Sequence, residues 1–392
     1  MGRKYQAISA DGHLETPPDA WMKHVPERYK ERAPRLIPLE DGGEAWLVEG
    51  MPLMQNGPNL AAGTPKIYSN ASYWDDKGNP RPGTGTAQQR LAEQDLDGID
   101  AEVLFPPVFA SRFIESIADK RAYRAMVRAY NEFLAEYCAV APDRLIGNGI
   151  IPTSGIDDAL AELKFCKELG LRSVSPGNFP NGTTYIRPEH DDRFWELALE
   201  LDMRISPHAS IGDQAVKDDG PNFVDVARRP GVAPLDHQLS RYQPGPMWGI
   251  NQLIVSGTFN RFPELKVYIA ETDAGWLPFA LQRLDKHFED NEHLFPDHQL
   301  KMKPSEYVRQ NFMLSFIRDP MAMKLRDFLP AEILMWGTDF PHAAGSFPQS
   351  RKWLDINFEG VPASLKRQIL LENPANYFGL DLDADITETP AG

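Results

Sequence analysis

The chain has 392 residues, of which 42% are hydrophobic and 25% are charged, so it can bury a large core. Its formal net charge of −15 argues against nucleic acid as a main partner, because binding a phosphate backbone requires an excess of Lys and Arg. The N-terminal stretch "MGRKYQAIS" has no apolar signal-peptide region, and no apolar run approaches the roughly eighteen residues of a membrane span. These features predict a soluble cytoplasmic protein with no nucleic-acid or membrane partner.

Short apolar runs rich in β-branched and aromatic residues alternate with helical patterns along the chain. They predict strands at 5–10, 101–106, 145–151, 171–176, 203–208, 266–271, 312–316 and 333–339. The segments between them predict helices at 113–140, 156–169, 191–201, 276–289, 304–310, 319–328 and 362–372. Eight such units indicate an α/β fold, a closed (β/α)8 TIM barrel. A doubly wound sheet is the alternative, but no glycine-rich phosphate-binding turn follows a predicted strand.

Two stretches interrupt this alternation, residues 15–86 and 209–248, and both are rich in Pro, Gly and Asn. Each follows a predicted strand, the first and the fifth, so in a barrel each would rise from the face that carries the chemistry. We therefore expect one distorted barrel domain over residues 1–380, with these two stretches as capping insertions. Residues 381–392 form an acidic tail that we expect to be frayed. Cys138 and Cys166 lie in helical patterns and predict buried, reduced thiols.

Ionisable residues stand at the ends of four predicted strands, where a core would not tolerate them. Asp11 and His13 end the first strand, spaced so that both side chains share one face of an extended chain. His208 ends the fifth strand, Glu271 the sixth and Asp339 the eighth. In a closed barrel, these ends converge on one mouth although they are far apart in sequence.

Imidazole and carboxylate groups together favour one divalent metal ion, with Zn²⁺ first and Mn²⁺ or Fe²⁺ as alternatives. Each residue also has an ordinary explanation. Asp11-Gly12 could be a turn, His208 a loop histidine, and Glu271 and Asp339 helix caps. The coincidence at four strand ends is what favours a metal site.

Four further residues are candidates for holding a substrate. His342 follows Asp339 by three residues, within reach of the mouth, where it could orient the substrate or support a ligand. Arg112 and Arg318 follow the second and seventh strands and could bind an anionic group, and Trp276 could line an aromatic pocket. Glu15 lies past the first strand, and we assign it to the start of the capping insertion.

At these residues the sequence resembles the amidohydrolase superfamily, in the branch of aminocarboxymuconate semialdehyde decarboxylase and the ortho-benzoic acid decarboxylases. The motifs that carry the resemblance span nearly the whole chain in order. They are "DGHLETPPDAW", "LDGIDAEVLFP", "SPHAS", "ETDAGWLPFALQRLD", "WGTDFPH" and "NPANYFGL".

The resemblance implies a distorted barrel with a single divalent ion held by Asp11, His13, His208 and Asp339. Asp339 would also contact the metal-bound water or the substrate and move protons. It further implies a homodimer or homotetramer. The chain departs from the family in two places: the first motif is Asp-x-His, and Glu271 stands where many of the decarboxylases carry histidine.

Three functions remain open. In a metal-dependent hydrolase, Asp339 or Glu271 would take a proton during attack of metal-activated water on an amide, ester, lactone or activated C–C bond. In a non-oxidative decarboxylase of an aromatic or unsaturated acid, Asp339 would protonate the substrate carbon. A barrel that only binds a partner is the third, and the four retained ligand types argue against it.

Overall fold

The computed structural model describes residues 2–40, 43–50, 54–55, 57–60, 62, 72–107, 114–183, 189–212 and 245–389. Eight strands form one parallel sheet, which curves into a nearly closed (β/α)8 barrel. The barrel strands are β1 (Ile8–His13), β5 (Ala101–Phe105), β6 (Leu145–Ile151), β7 (Ser173–Pro176), β8 (Arg204–Ile205), β9 (Val267–Ile269), β10 (Phe312–Phe316) and β11 (Leu334–Trp336).

Helices surround the barrel and bury its outer surface. The α-helices described are Ala87–Asp97, Lys120–Cys138, Ile156–Glu168, Asp192–Glu200, Met247–Val255, Thr258–Arg261, Leu277–Asn291, Pro304–Asn311, Pro320–Lys324, Ser350–Asn357, Ala363–Arg367 and Asn373–Phe378. Short 3-10 helices cover Pro18–His24, Glu27–Arg32, Gly57–Leu60, Glu292–Leu294, Arg326–Phe328 and Ala331–Ile333, and Gln368–Glu372 is π-helical. All eight predicted strands are confirmed, and so is the alternation with helices.

The first insertion contains a small sheet of its own, which the sequence did not predict. Strands β2 (Arg35–Pro38), β3 (Glu44–Leu47) and β4 (Met54–Gln55) pair antiparallel. In β3, Ala45 and Trp46 are buried, and the Trp46 indole nitrogen donates to the hydroxyl of Tyr73 at 2.7 Å. Most of the second insertion lies outside the described residues, so its capping role stays a prediction.

The barrel closes where β1 meets the chain just after β11. The amide of His13 donates to the carbonyl of Phe340 at 2.7 Å, and the amide of Asp339 donates to the carbonyl of Asp11 at 2.9 Å. Gly12 and Phe340 form an isolated parallel bridge there. The first and last strands are therefore joined at the level of the polar residues that end them.

A buried ion pair supports this junction. The Arg90 guanidinium is enclosed and lies 2.8 Å from the Glu102 carboxylate, while it also donates to the carbonyls of His13 at 2.9 Å and Phe340 at 3.2 Å. The other Glu102 oxygen accepts from the hydroxyl of Thr338 at 3.0 Å. A buried pair is tolerated because each charge has several hydrogen-bond partners.

Gly12 leaves the space that Glu102 occupies. A Cβ at this position would lie 2.1 Å from Glu102 Oε1, and a Cβ at Gly337 would lie 2.4 Å from the Cβ of Asp11. The strand register also shifts between Ser9 and Gly12, as in a β-bulge, which re-aims side chains next to it. Glycine and the bulge together let β1 approach its neighbours closely and still point Asp11 and His13 inward.

The C-terminal segment is packed against the start of the chain, so the expectation of a frayed tail is wrong up to residue 389. The amide of Ile386 donates to the carbonyl of Arg3 at 3.0 Å, and Ile386 is buried. Thr387 and Thr389 bond to Asp143 at 2.7 Å and to Arg144 at 2.9 Å, just before β6. Hydroxyls and one apolar side chain fix this segment in spite of its acidic charge.

Both cysteines are free and buried, as predicted. Cys138 ends one helix and Cys166 lies in the next, where their sulfurs face the two glycines of β6. Burial raises the pKa of the Cys138 thiol to about 12. Over the described residues, no helix has the length and apolar character needed to cross a bilayer.

We expect Gly12→Ala to lower the free energy of unfolding by about 1–3 kcal/mol, because the new methyl group would displace Glu102 from Arg90. Chemical denaturation followed by tryptophan fluorescence measures this loss. Gly177→Ala is the control, because a Cβ there meets no atom within 4 Å. Equal stability of the two variants would contradict the role given to Gly12.

Candidate active site

The polar strand ends meet at the mouth of the barrel through unusual backbone conformations. Glu271 and Asp339, which follow β9 and β11, have φ values of 54° and 53°, and Ala209, next to His208, has 55°. Non-glycine residues rarely adopt this left-handed conformation, and such strained positions concentrate at functional sites. Each turns the chain sharply at the end of a strand.

Two imidazole nitrogens and a carboxylate form the centre of the cluster. His13 Nε2 lies 2.9 Å from His208 Nε2, and Asp11 Oδ1 lies 3.8 and 3.7 Å from these two atoms. The Asp339 Oδ1 oxygen lies 3.5 Å from His13 Nε2. Ligand atoms about 2.1 Å from a common ion are separated by about 3.0–3.5 Å, which these spacings approach.

The tautomer of His13 is set by its other nitrogen. His13 Nδ1 lies 3.2 Å from the carbonyl oxygen of Pro106, which can only accept a hydrogen bond. Nδ1 therefore carries the proton, and the Nε2 lone pair points at His208. Burial lowers the pKa of His13 well below its usual value, and the nearby His342 and His208 lower it further. A neutral imidazole with this second-nitrogen contact is how metal-bound histidines are held.

Two carboxylates of the cluster are poorly satisfied, because the oxygens of Asp339, like those of Asp11, lack a hydrogen-bond partner among the described residues. Asp11 is also fully buried. Burial raises the pKa of Asp11 well above its ordinary value, against the attraction of His208. A buried carboxylate without partners is costly unless a cation compensates it.

Asp339 is paired with His342 on one side of the cluster. Asp339 Oδ1 lies 2.7 Å from His342 Nδ1, and the ring of His342 stacks on that of His13 with 4.0 Å between centroids. Burial raises the pKa of Asp339. Burial acts to lower the pKa of His342, but the Asp339 and Glu15 carboxylates outweigh it and raise that pKa well above its usual value.

Glu271 lies on the open side. Its Oε2 atom is 3.1 Å from His208 Nε2, and about a third of its side chain is exposed. Burial acts to raise the pKa of Glu271, yet the hydrogen bond and the charge of His208 lower it overall. The same pairing raises the pKa of His208 against the effect of burial.

The structure brings six of the nine residues singled out in the sequence into one cluster: Asp11, His13, His208, Glu271, Asp339 and His342. Trp276 is half-buried at the start of the helix after β9, with its indole nitrogen donating to the carbonyl of Thr272 at 2.7 Å. Arg318 is exposed and lies over the ring of Trp353 at 5.1 Å. Arg112 lies outside the described residues.

Sequence reasoning missed Glu15, which is not merely the start of a loop. It is fully buried, and its Oε1 lies 3.1 Å from His342 Nε2. The amide of Leu14 still donates to the carbonyl of Phe105 at 2.9 Å, so the chain remains extended beyond β1. The spacing in the sequence could have identified Glu15, since the side chains of Asp11, His13 and Glu15 lie on the same face of an extended chain.

The donor set suits a divalent cation. Three groups of possible ligands among the described residues have their ligand atoms within 4.8 Å of one another: Asp11, His13 and His208; His13, Glu15 and His342; and His13, Glu271 and Asp339. A positive charge between the two Nε2 atoms, which lie 2.9 Å apart, would compensate the buried Asp11 carboxylate. A cation there would leave Asp339, His342 and Glu271 beside it as proton-carrying groups.

The curated relatives of this chain include two kinds of decarboxylase. A gamma-resorcylate decarboxylase from Polaromonas is 26% identical over 283 residues, which is 66% of this chain and 79% of the relative. The 2-amino-3-carboxymuconate-6-semialdehyde decarboxylase of Dictyostelium discoideum is 25% identical over 296 residues, 74% of this chain and 76% of the relative.

Solved structures share the fold over most of the chain. An amidohydrolase from Mycobacterium avium subsp. paratuberculosis superposes with a TM-score of 0.68 at 19% identity, covering 97% of this chain and 99% of the other. A 5-carboxyvanillate decarboxylase from Novosphingobium aromaticivorans, complexed with manganese and 4-hydroxy-3-methoxy-5-nitrobenzoic acid, gives 0.57 at 18% identity, with 74% and 80% covered.

The amidohydrolase family profile matches residues 67–380, about four fifths of the chain, and thus includes three of the strand ends that form the cluster. The barrel, the cluster at its mouth and this match agree with one another. The chain is an enzyme of the amidohydrolase superfamily.

Proposed function

We propose that this enzyme is a metal-dependent, non-oxidative decarboxylase of a small aromatic or unsaturated carboxylic acid. The observation that carries the proposal is the Asp339–His342 pair, 2.7 Å apart and next to the cluster of Asp11, His13 and His208. It puts a carboxyl group that can hold a proton beside a site for a divalent ion. The reaction is redox-neutral, so it needs no oxidant or reductant.

Asp11, His13, His208 and Asp339 would hold one divalent ion. The sequence favours Zn²⁺, and a donor set with several carboxylates equally suits Mn²⁺, which accompanies the structural neighbour described above. When bound, the ion would supply positive charge that binds the substrate carboxylate and an adjacent oxygen.

The chain's own residues would handle the proton. Asp339 donates its proton to the substrate carbon that bears the carboxylate, and the bond from that carbon to the carboxyl group then breaks to release carbon dioxide. Asp339 recovers a proton by way of His342, whose Nδ1 faces it. One proton enters the product, and one carbon dioxide leaves.

Hydrolysis is the second candidate, and Glu271 is the observation that favours it. This carboxylate stands at the open side of the cluster, 3.1 Å from His208, where it could take a proton from an attacking water. Its negative charge would also repel a substrate carboxylate. The decarboxylase activity of both curated relatives described above supports decarboxylation over hydrolysis.

Several narrower predictions remain open to experiment. Arg112, Arg318 and Trp276 stay candidates for substrate binding. A homodimer or homotetramer and a cytoplasmic location also stay predictions. A purified protein without tightly bound divalent metal, whose stability ignores chelators, would support the non-catalytic binding role instead.

We expect Asp11→Asn to raise the melting temperature of the metal-free protein by a few degrees at pH 7–8, because it removes a buried carboxyl group whose ionisation no partner among the described residues compensates. Added Mn²⁺ or Zn²⁺ should stabilise the wild type and leave the variant unchanged. Differential scanning fluorimetry with and without chelator measures both effects.

The matched control is Asp97→Asn. Asp97 is also buried, but its carboxylate accepts hydrogen bonds from the amide and hydroxyl of Ser350. This substitution should lower the melting temperature and leave the response to metal intact. A destabilised Asp11→Asn protein that still responds to metal would show that Asp11 is no ligand.

Metal affinity should rise with pH. The raised pKa values of Asp11 and His208 mean that both groups hold protons in the metal-free protein to a higher pH than their ordinary values, against the effect of burial in the case of His208. Binding must release these protons, so affinity should increase up to about tenfold per pH unit for each proton displaced. Competition with a chelator between pH 5.5 and 8 measures the slope. A metal affinity that does not change with pH would contradict the prediction that these ligands hold protons in the metal-free protein.

In D2O, the product of a hydroxybenzoate or a related acid should carry one deuterium at the carbon that lost the carboxylate. Carbon dioxide should form in equal amount, with no solvent ¹⁸O in the organic product. Asp339→Asn should reduce kcat by at least about a hundredfold, whereas Asp97→Asn should not. Solvent ¹⁸O in a new carboxylate product would favour hydrolysis instead, and mass spectrometry distinguishes the outcomes.

A further inference from the structure

Glu15 enters the active-site cluster from the segment just after β1, two residues beyond His13. Its side chain has no exposed surface, although the segment leads into the first insertion. Glutamate is rarely buried completely unless it is paired. Within the described part of the chain, Glu15 Oε1 pairs with His342 Nε2 at 3.1 Å.

The ring of His342 is held on three sides. Glu15 faces Nε2, Asp339 Oδ1 lies 2.7 Å from Nδ1, and the imidazole of His13 stacks on its face with an interplanar angle of 26°. Stacking fixes the plane of the ring but does not distinguish its two edges. The two carboxylates decide which nitrogen faces which neighbour.

A carboxylate at Nε2 has a specific effect on the other nitrogen. The torsion that turns an imidazole ring is broad and roughly two-fold, so the packing of the ring alone permits a flipped orientation. Glu15 Oε1 lies within hydrogen-bond distance of Nε2 and can accept a hydrogen bond from it. With this edge of the ring held by Glu15, the opposite nitrogen Nδ1 lies 2.7 Å from Asp339 Oδ1.

We propose that Glu15 is a positioning residue that fixes the orientation of His342 so that its Nδ1 faces Asp339. In this role Glu15 acts through its contact with His342. The proposal deepens the function proposed above, because it takes Asp339 as the group that gives its proton to the substrate. It adds a carboxylate–imidazole–carboxylate chain that runs from the first insertion to the mouth.

Two substitutions at Glu15 separate orientation from simple packing. Glu15→Ala removes the acceptor and should lower kcat about 10- to 100-fold, with KM and bound metal changed less than about threefold. Glu15→Gln keeps an oxygen that can accept from Nε2 and should recover most of this loss. A residue needed only for folding would give no such recovery through one oxygen atom.

Glu162→Ala is the matched control. Glu162 is also a buried glutamate, paired with Arg128 at 3.1 Å and with Asn131 at 2.9 Å, but it lies on a helix outside the barrel. Its loss should lower stability and leave kcat of the folded enzyme within about twofold of the wild type. The comparison separates a general effect of deleting a buried carboxylate from an effect on the site.

A second measurement reports the His342 ring without any turnover. In protein labelled with ¹⁵N-histidine, the two ring nitrogens of His342, assigned with a His342→Gln sample, should change their shifts in Glu15→Ala and keep them in Glu15→Gln. Unchanged ring signals in Glu15→Ala would overturn the proposal, and so would an unchanged kcat. If the ring signals change but no acid is decarboxylated, the orienting role stands and the proposed reaction falls.

Discussion

The buried Arg90–Glu102 pair is the constraint on which the active site depends. The barrel sheet is paired strand by strand from β1 to β11, and its seam is closed instead by a few bonds around Asp11 and Phe340. Arg90 reaches across this seam, binding the carbonyls of His13 and Phe340 with one guanidinium group. Asp339 and His13 lie on opposite sides of this seam. An arginine from outside the sheet therefore holds the two sides of the seam together, and Gly12 in β1 leaves the space that Glu102 fills.

Much of the fold and the centre of the site could be predicted from the sequence, for identifiable reasons. β-branched runs separated by amphipathic helices specify the barrel, and ionisable residues at strand ends stand out because a core excludes them. Arg90 was not found because one arginine in a helical pattern is normally solvated. The left-handed backbone conformation at Glu271 could not be predicted, because glycine is the residue type that indicates this conformation in a sequence. The small antiparallel sheet was missed because its strands are short and lie among prolines and glycines.

The cluster concentrates negative charge where the rest of the core is apolar. Four carboxylates meet three imidazoles within a few ångströms, and several of the carboxylates are fully buried. Such an arrangement opposes folding unless protons or a cation reduce its charge. Most of the other buried carboxylates described here, such as Glu102, have arginine or hydrogen-bond partners of their own. The difference marks the mouth as a place where stability is given up for binding.

The rate at which the two buried thiols react with an alkylating reagent would measure how often the protein opens locally. A thiol reagent reacts with the thiolate, and Cys138 and Cys166 are both enclosed between helices and β6 with strongly suppressed ionisation. Alkylation of the native protein therefore requires separation of those helices from the barrel wall, and its rate counts such events. Because the native thiols are enclosed, a thiol reagent would label a single cysteine introduced on the exposed surface and leave Cys138 and Cys166 unmodified. Fluorophores or spin labels could then be attached beside the mouth without first removing the native cysteines.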